Sequence, residues 1–468
     1  MDRYIINGGK PLVGSVEISG MKNAAVAVLF ACLLVNDTCT IENVPNIIDV
    51  SVALDILAGI GVKVKKVAKN TVELDSTHAV GGMSSYELVR KMRASYYLIG
   101  AELGRFGSAY VAYPGGCDFG VRPIDQHIKG FEALGATVDV EGGYVEANAL
   151  GGLRGGNIYF DVTTVGGTIN VILAAARSDG LTVIENAARE PHVVDVANFL
   201  NACGARISGA GTDTIKIRGV KQLHGCCYTI IPDMIEAGTY MLAAAATCGN
   251  LRIGGVIPKH LESVTAKLIE MGVDVVEEDD SVTVSRRGPL ERVNIKTQPY
   301  PGFPTDMQPQ ITVCLATAVG TSLVTEGVYD NRFRYTAELG RMGANIQVEG
   351  KTAIIDGVQS LHGCEVRACD LRAGAAMVIA AMCAEGTTLG GDDGIAVAMA
   401  LAVLDAKDLA HPRLECLFTI DEETGMDGAV GFDASILQGK RLLNIDSEEE
   451  GILTVSCAGG AHAAVRIP

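Results

Sequence analysis

The sequence predicts an α/β protein assembled from repeated units, and three observations carry that expectation. First, an amphipathic helix that ends in glycine and runs into a β-type segment recurs five times: LAGIGVKV at Gly61, EALGATVDV at Gly135, NACGARI at Gly204, IEMGVDVV at Gly272 and GRMGANIQV at Gly343. The spacings of 74, 69, 68 and 71 residues are too long for a short-repeat solenoid and suit a small α/β unit. Second, an alanine-rich helix closing on a small residue and a strand occurs six times. Third, 48% of the 468 residues are hydrophobic and 20% charged, and 56 glycines against 14 prolines speak for many tight turns in a globular chain of two to four domains.

The six openings begin at Met21 (MKNAAVAVLFACLLVNDTCTI), Met92 (MRASYYLIGAELGRFGSAYV), Thr164 (TVGGTINVILAAARSDGLTV), Pro232 (PDMIEAGTYMLAAAATCGNLRI), Thr305 (TDMQPQITVCLATAVGTSLV) and Asp370 (DLRAGAAMVIAAMCAEGTTL). Each is small and apolar nearly all round, which predicts helices buried beneath outward-facing sheets. Six openings meet only five endings. The sixth ending should fall near residue 412, where LAHPRLECLF carries no helix-Gly-strand signal. Composition shifts there too: Thr387 to Pro468 holds 14 acidic and 5 basic residues, a balance of −9 in 82 residues, and reads as foreign sequence. That stretch predicts a helix over Ile395 to Leu404 and strands at LECLFTI and RLLNID.

A net charge of −17, from 38 basic and 55 acidic residues, repels phosphate backbones and anionic lipid, so neither nucleic acid nor a membrane is an expected partner. The N-terminal MDRYIINGGKPLVGSVEISG has no cationic segment followed by an apolar run, and no stretch approaches ~20 uninterrupted apolar residues, so a cytoplasmic location is expected. Thirteen cysteines are scattered without CxxC spacing, which predicts reduced and mostly buried thiols.

Chemistry-bearing candidates fall in short polar segments. In SGMKNAA, Lys22 and Asn23 open a helix, where a cation and an amide suit a phosphate; the alternative is a lysine running its stem along the helix end. PGGCDFGVRPIDQH surrounds Cys117 with glycines and sets Arg122 five residues on, able to hold an anion near the thiol; a structural cysteine is the alternative. Asp118 directly follows, and a neighbouring carboxylate disfavours thiolate. Arg93 in KMRAS, Glu190 in AAREP, Asp306 in YPGFPTDMQPQ and Arg372 in CDLRAGAA complete the set, with Asp306 also readable as a helix N-cap.

Over residues 1–386 these segments, together with EPHVVD and DNRF, resemble in order and approximate spacing the UDP-N-acetylglucosamine 1-carboxyvinyltransferases, a family of enolpyruvyl transferases that begins peptidoglycan synthesis. The related shikimate-pathway transferases share the six-unit fold but lack the cysteine loop. The resemblance implies a two-domain inside-out α/β barrel of βαβαββ units, with residues 22–230 as one domain and 1–21 plus 231–386 as the other. It implies no cofactor, no metal and no obligate protein partner, with phosphoenolpyruvate and UDP-N-acetylglucosamine as substrates. Cys117 would protonate the methylene carbon and Asp306 would take the sugar hydroxyl proton; Lys22, Asn23, Arg122 and Arg372 would neutralise phosphate and carboxylate. The nucleotide-sugar positions carried over are Arg93, Arg122, Pro123, Ile124, Asp125, Gln126, Thr164, Val165, Gly166, Asp306 and Val328, with Glu190 and Asp370 as further substrate-binding residues.

After GTTL the family pattern calls for an Asp-Arg-Gly-Tyr segment with a further arginine, and none follows. Instead GGDDGIAVAMALAVL, LFTIDEETGMDGAVGF and LLNIDSEEEG resemble the interior of aminoacyl-histidine dipeptidases, two-metal zinc peptidases. That resemblance would make Asp392 a bridging ligand, Glu422 the water-activating base, and Glu423 and Asp446 terminal ligands. The metal-binding histidines are missing from the pattern, and His462 does not replace them, so these carboxylates are expected to be vestigial. Because both families carry GTTL at the join, a recombined or misassembled reading frame is expected.

Overall fold

A computed structural model describes residues 5–82, 86–113 and 123–389. Cys117, Asp118, Arg122 and the tail candidates Asp392, Glu422, Glu423, Asp446 and His462 lie outside the described residues.

All six small-residue segments form helices: Lys22–Ala31, Tyr97–Phe106, Val165–Ala175, Met234–Ala246, Gln308–Ala316 and Leu371–Cys383. Helix Tyr97–Phe106 packs against both Lys22–Ala31 and Val165–Ala175, while the last three pack mutually. Their interiors are dry; Ala24 through Ala31, Gly166 through Ala175 and all of Gln308–Ala316 are buried. Small residues permit the approach. A Cβ at Gly100 would stand 2.5 Å from the Asn170 carbonyl oxygen and one at Gly104 2.8 Å from that of Leu173, so a larger residue at either place would force the helices apart.

Around these helices lie small sheets with a common plan. Four have four strands, in the orders Cys227–Thr229/Thr38–Glu42/Thr71–Asp75/Lys63–Ala68, Asn157–Tyr159/Leu181–Glu185/Thr214–Arg218/Arg206–Ser208, Val13–Glu17/Asn250–Gly254/Ser281–Ser285/Asp274–Glu277 and Ile295–Lys296/Thr321–Thr325/Thr352–Asp356/Asn345–Glu349. In each, the first strand is parallel to the second, and the remaining pairs are antiparallel. A fifth sheet, Ser108–Ala112/Tyr144–Asn148/Thr137–Glu141, has the antiparallel part alone among the described residues. The five repeat glycines join helix to strand at φ between 81° and 97°, the left-handed conformation that ends a helix without a Cβ clash.

The sixth unit begins like the rest. Glu385 pairs in parallel with His362 after the buried helix, and Thr387–Leu389 pairs antiparallel with Ile5–Asn7, from Ile5 against Leu389 to Asn7 against Thr387. The expected join after residue 386 therefore precedes three residues that continue the transferase sheet. Two distant passages of the chain are paired: Met21 N–H donates to Ile231 O at 2.8 Å and Asp233 N–H to Ser19 O at 2.9 Å. Ser19 also donates to the Glu236 carboxylate through both its amide and its hydroxyl.

Candidate active site

Asp306 is the centre of the charged part of the site. It sits in a single 3-10 turn, Thr305–Met307, leading into helix Gln308–Ala316, and it caps nothing; its carboxylate is taken by two guanidiniums. Arg332 Nη2 donates to Oδ1 at 3.0 Å, and Arg372 donates to Oδ2 through Nε at 3.1 Å and Nη2 at 3.0 Å. Arg332 is buried, with 2% of its side chain exposed. Burial alone would raise the Asp306 pKa, but Arg372 and then Arg332 outweigh it and hold the group down at about 2.

The turn is held from below by Glu326, a buried residue that the sequence reading did not single out. Its Oε1 accepts from Thr297 Oγ1 at 2.8 Å and from the amides of Val328 at 2.8 Å and Tyr329 at 3.1 Å, while Oε2 accepts from Thr305 Oγ1 at 3.0 Å. Val328 and the Asp306 turn are thus fixed by one carboxylate. Asp370 is the N-cap of helix Leu371–Cys383, its Oδ1 accepting from Arg372 N at 2.8 Å and Ala373 N at 2.9 Å. It places Arg372 in the first turn.

A second group gathers the positions expected for the nucleotide sugar. Arg93 opens a 3-10 turn with its guanidinium 6.0 Å from the Tyr96 ring centre. Tyr96 meets the His127 ring edge-on at 4.8 Å, and a Cβ on Gly166 would stand 2.9 Å from both. Asn170 Nδ2 lies 2.8 Å from His127 Nδ1 and 3.0 Å from Tyr96 O. Pro123 and Ile124 lead into helix Asp125–Ala133; Gln126 Nε2 donates to Asp125 at 2.8 Å, and its Oε1 accepts from Asp161 N at 3.0 Å. Thr164 caps helix Val165–Ala175 by accepting from Gly167 N at 3.2 Å, with Val165 and Gly166 in its first turn.

Between these groups lies the start of helix Pro191–Ala202. Glu190, at its N-cap, accepts from Tyr300 N at 3.3 Å through Oε1, and its buried Oε2 has no hydrogen-bond partner among the described residues. Burial pushes its pKa up. His192 is buried, with Nδ1 unpartnered among the described residues; burial pushes its pKa down to about 4, against the pull of the nearby Asp306 charge. Tyr97 is buried, and burial first, then Tyr96, push its pKa up, with smaller contributions from Glu190 and Tyr329.

Lys22 is the first residue of its helix, next to Asn23, and its Nζ is 2.7 Å from Asp49. An open cavity of about 520 Å³ bordered by Arg105, Asn148 and Arg177 includes none of these residues. Arg332 and His192 lay inside quoted segments, DNRF and EPHVVD, without a role; Glu326, Tyr96 and Asn170 had no local signal.

Six buried helices under outward sheets, with a carboxylate clamped by guanidiniums at the base of one of them, define the enolpyruvyl transferase class. The family model described as EPSP synthase (3-phosphoshikimate 1-carboxyvinyltransferase) matches residues 6–398, and the chain belongs to that family. Within it, the chain is 60% identical over 389 residues to the UDP-N-acetylglucosamine 1-carboxyvinyltransferase of Clostridium botulinum, covering 83% of this chain and 93% of that protein. It is 58% identical over 392 residues to the enzyme numbered 3 of Caldanaerobacter subterraneus, again covering 83% and 93%. Among solved structures, the enolpyruvyl transferase NikO from Streptomyces tendae superposes with a TM-score of 0.75 at 27% identity, over 83% of this chain and 92% of that one. EPSP synthase from Acinetobacter baumannii shares the fold with a TM-score of 0.66 at 18% identity, over 85% and 95%.

Proposed function

We propose that the chain transfers the enolpyruvyl group of phosphoenolpyruvate to the 3-hydroxyl of UDP-N-acetylglucosamine, releasing phosphate, as a cytoplasmic enzyme of peptidoglycan synthesis. The observation that carries this reading is a carboxylate held ionised by Arg332 and Arg372 in a chain 60% identical to a carboxyvinyltransferase of that substrate. The cysteine loop around Cys117 favours the nucleotide sugar over shikimate 3-phosphate. No helix among the described residues is long and apolar enough to cross a membrane.

The proposed chemistry is addition followed by elimination. Cys117 protonates the methylene carbon of phosphoenolpyruvate, the sugar oxygen bonds to the central carbon, and Asp306 takes the hydroxyl proton. Elimination then breaks the bond from the central carbon to the phosphate oxygen, phosphate leaves, and the Cys117 thiolate takes back a proton from the new methyl group. A carboxylate held at about 2 is a weak base. An anionic substrate that draws Arg372 and Arg332 toward its own phosphate or carboxylate weakens their hold on Asp306 and raises its basicity where it is needed. Lys22, Asn23 and Arg122 supply further positive and amide contacts, and the Arg93–Gln126–Thr164 group holds the nucleotide sugar. Phosphate release from phosphoenolpyruvate that requires UDP-N-acetylglucosamine tests the reading; release with shikimate 3-phosphate alone would overturn it.

The division into residues 22–230 and 1–21 plus 231–386 is supported by the paired crossings at Met21/Ile231 and Ser19/Asp233. For residues 387–468 we propose a peptidase-like fragment without hydrolytic activity in place of the family's final segment; that the tail stands apart from the transferase is supported by the match to the relatives, which takes in 83% of this chain but 93% of theirs. Loss of the Asp-Arg-Gly-Tyr segment favours a second reading, a chain that binds UDP-sugar and turns over slowly; restoring that segment should then raise the rate by ~10²-fold or more. Zinc-dependent cleavage of aminoacyl-histidine dipeptides by the purified protein would refute the proposal for the tail.

A further inference from the structure

Apart from the Asp306 site, three cysteines from distant parts of the chain meet. Cys39 lies in strand Thr38–Glu42, Cys203 caps the end of helix Pro191–Ala202, and Cys226 directly precedes strand Cys227–Thr229. Their sulfur atoms all lie within 4.8 Å of one another, with Cys203 and Cys226 Sγ 3.4 Å apart. Cys39 and Cys203 are buried and Cys226 is half-buried, so the group has one side open to solvent.

The backbone fixes this meeting. His224 N–H donates to Cys203 O and Thr40 N–H to Cys226 O, both at 2.9 Å, which ties the helix end, the LHGC segment and the strand together. Asp37 accepts from Gly225 N at 2.9 Å. An internal control shows that the fold does not itself demand a thiol at the Cys203 position. LHGC recurs at Leu361–Cys364, where His362 N–H donates to Met342 O at 2.8 Å in the same joint, so a methionine stands where the first copy has Cys203.

We propose that Cys39, Cys203 and Cys226 form a thiolate site for a soft divalent cation of the zinc class, with water entering beside Cys226 in the fourth position. Tetrahedral thiolate coordination at about 2.3 Å sets the sulfurs roughly 3.8 Å apart, so the Cys203–Cys226 pair has to open by about 0.4 Å and no other pair has to close by more than about 1 Å. Binding forms three sulfur–metal bonds and releases three protons to solvent, with no change of oxidation state. Three thiolates brought this close repel one another, a like-charge cost that a dication removes. Cys32 is buried and is not among the sulfurs that lie within 4.8 Å of one another. Three thiolates on a dication leave a net −1, whereas a fourth would leave −2 among apolar groups.

The test uses the full chain, reduced and freed of metal by a chelator, then titrated with cobalt(II). Saturation at one equivalent is expected, with a near-ultraviolet sulfur-to-cobalt charge-transfer band, the visible bands of tetrahedral cobalt, and displacement of both by zinc. Cys203→Ser and Cys226→Ser should each abolish the bands, while Cys227→Ser and Cys117→Ser keep them. Cys226→Ser changes the half-buried member, and its metal-free melting curve should match that of the parent; zinc should raise the parent's Tm and leave the variant's unchanged. A reduced parent without the charge-transfer band, bands that survive both serine variants, or a Cys203–Cys226 disulfide as the only product would each overturn the proposal.

Discussion

Asp306 and Glu190 are both half-buried carboxyl groups, yet their surroundings drive them in opposite directions. For Asp306 the burial penalty is reversed by two guanidiniums within 3.1 Å, and the pKa stands at about 2. For Glu190 burial wins: the Tyr300 amide at 3.3 Å only moderates it, and Arg189, whose charge also opposes the rise, is bonded to Asp213 at 3.1 Å. Burial therefore sets a cost common to both, and a charge-assisted fork decides which acid stays ionised. His192, beside them, shows the same cost acting on a cation, since burial pushes it down to about 4.

The largest effect is expected from removing the charge that the fork holds. Asp306→Asn keeps the shape, removes the proposed base, and takes the ionised partner from the buried Arg332 Nη2. Turnover should fall ~10²–10⁴-fold and stability by about 3–5 kcal/mol. The pH dependence has a definite sign. A depressed carboxylate pKa contributes stability above the ordinary value of about 4, lost as pH falls toward 2, so the parent has an acid-labile component that the variant lacks. Phosphate-release kinetics beside denaturant melts at several pH values measure both effects. A variant that retains more than a tenth of the parent's turnover would remove Asp306 from the chemistry.

Next in size is Arg372→Gln, which leaves Asp306 with Arg332 alone. The carboxylate pKa should rise and kcat/KM for phosphoenolpyruvate fall ~10²–10³-fold, because both the clamp and the proposed anion contact are lost. An unchanged kcat/KM would restrict Arg372 to a structural role.

Much of this site was legible in the sequence because its parts sit in compact segments with their own chemistry. TDMQPQ, DLRAGAA and the helix-Gly-strand period each announce a turn, a capped helix or a repeat at close range, and the structure places Asp306, Arg372 and the five glycines where those signals put them. Glu326 was not legible. A single glutamate at the end of strand Thr321–Thr325 looks like solvated surface until its four hydrogen bonds are seen. The Cys39–Cys203–Cys226 group escaped for the same reason in stronger form, since partners 23 to 187 residues apart leave no CxxC-like spacing, and their meeting depends on strand pairing across the unit. Local chemistry is written in short windows; long-range coordination is written only in the fold.

His192→Gln sharpens the comparison from the cationic side. A histidine depressed to about 4 contributes stability that is complete above its unfolded value of about 6.5 and lost as pH falls between the two, on the order of 3 kcal/mol. Asp195 works in the other direction. Burial raises it to about 6 against a 2.6 Å hydrogen bond from the Tyr228 hydroxyl, so its contribution is lost as pH rises. The two partly cancel in the parent. The difference between parent and His192→Gln isolates the histidine, and urea melts at pH 7 and pH 4.5 should show the variant losing less on acidification. Equal losses would mean that His192 is not carried neutral through folding.

The smallest effect is expected at Glu190, and its sign tells the two carboxylates apart. Glu190→Gln keeps an oxygen to accept from Tyr300 N and removes the negative charge that burial opposes. A raised acid pKa contributes stability at low pH that is lost as pH rises through the folded value, so parent and variant should be equally stable below about pH 4 and diverge above it. Glutamine should then be the more stable, by less than about 1 kcal/mol because the amide brings its own burial cost. Asp306→Asn, in contrast, should lose stability over that range. Denaturant melts of both variants from pH 4 to 8 measure the two slopes on one axis, and parallel slopes would mean that Glu190 is balanced by a cation as Asp306 is.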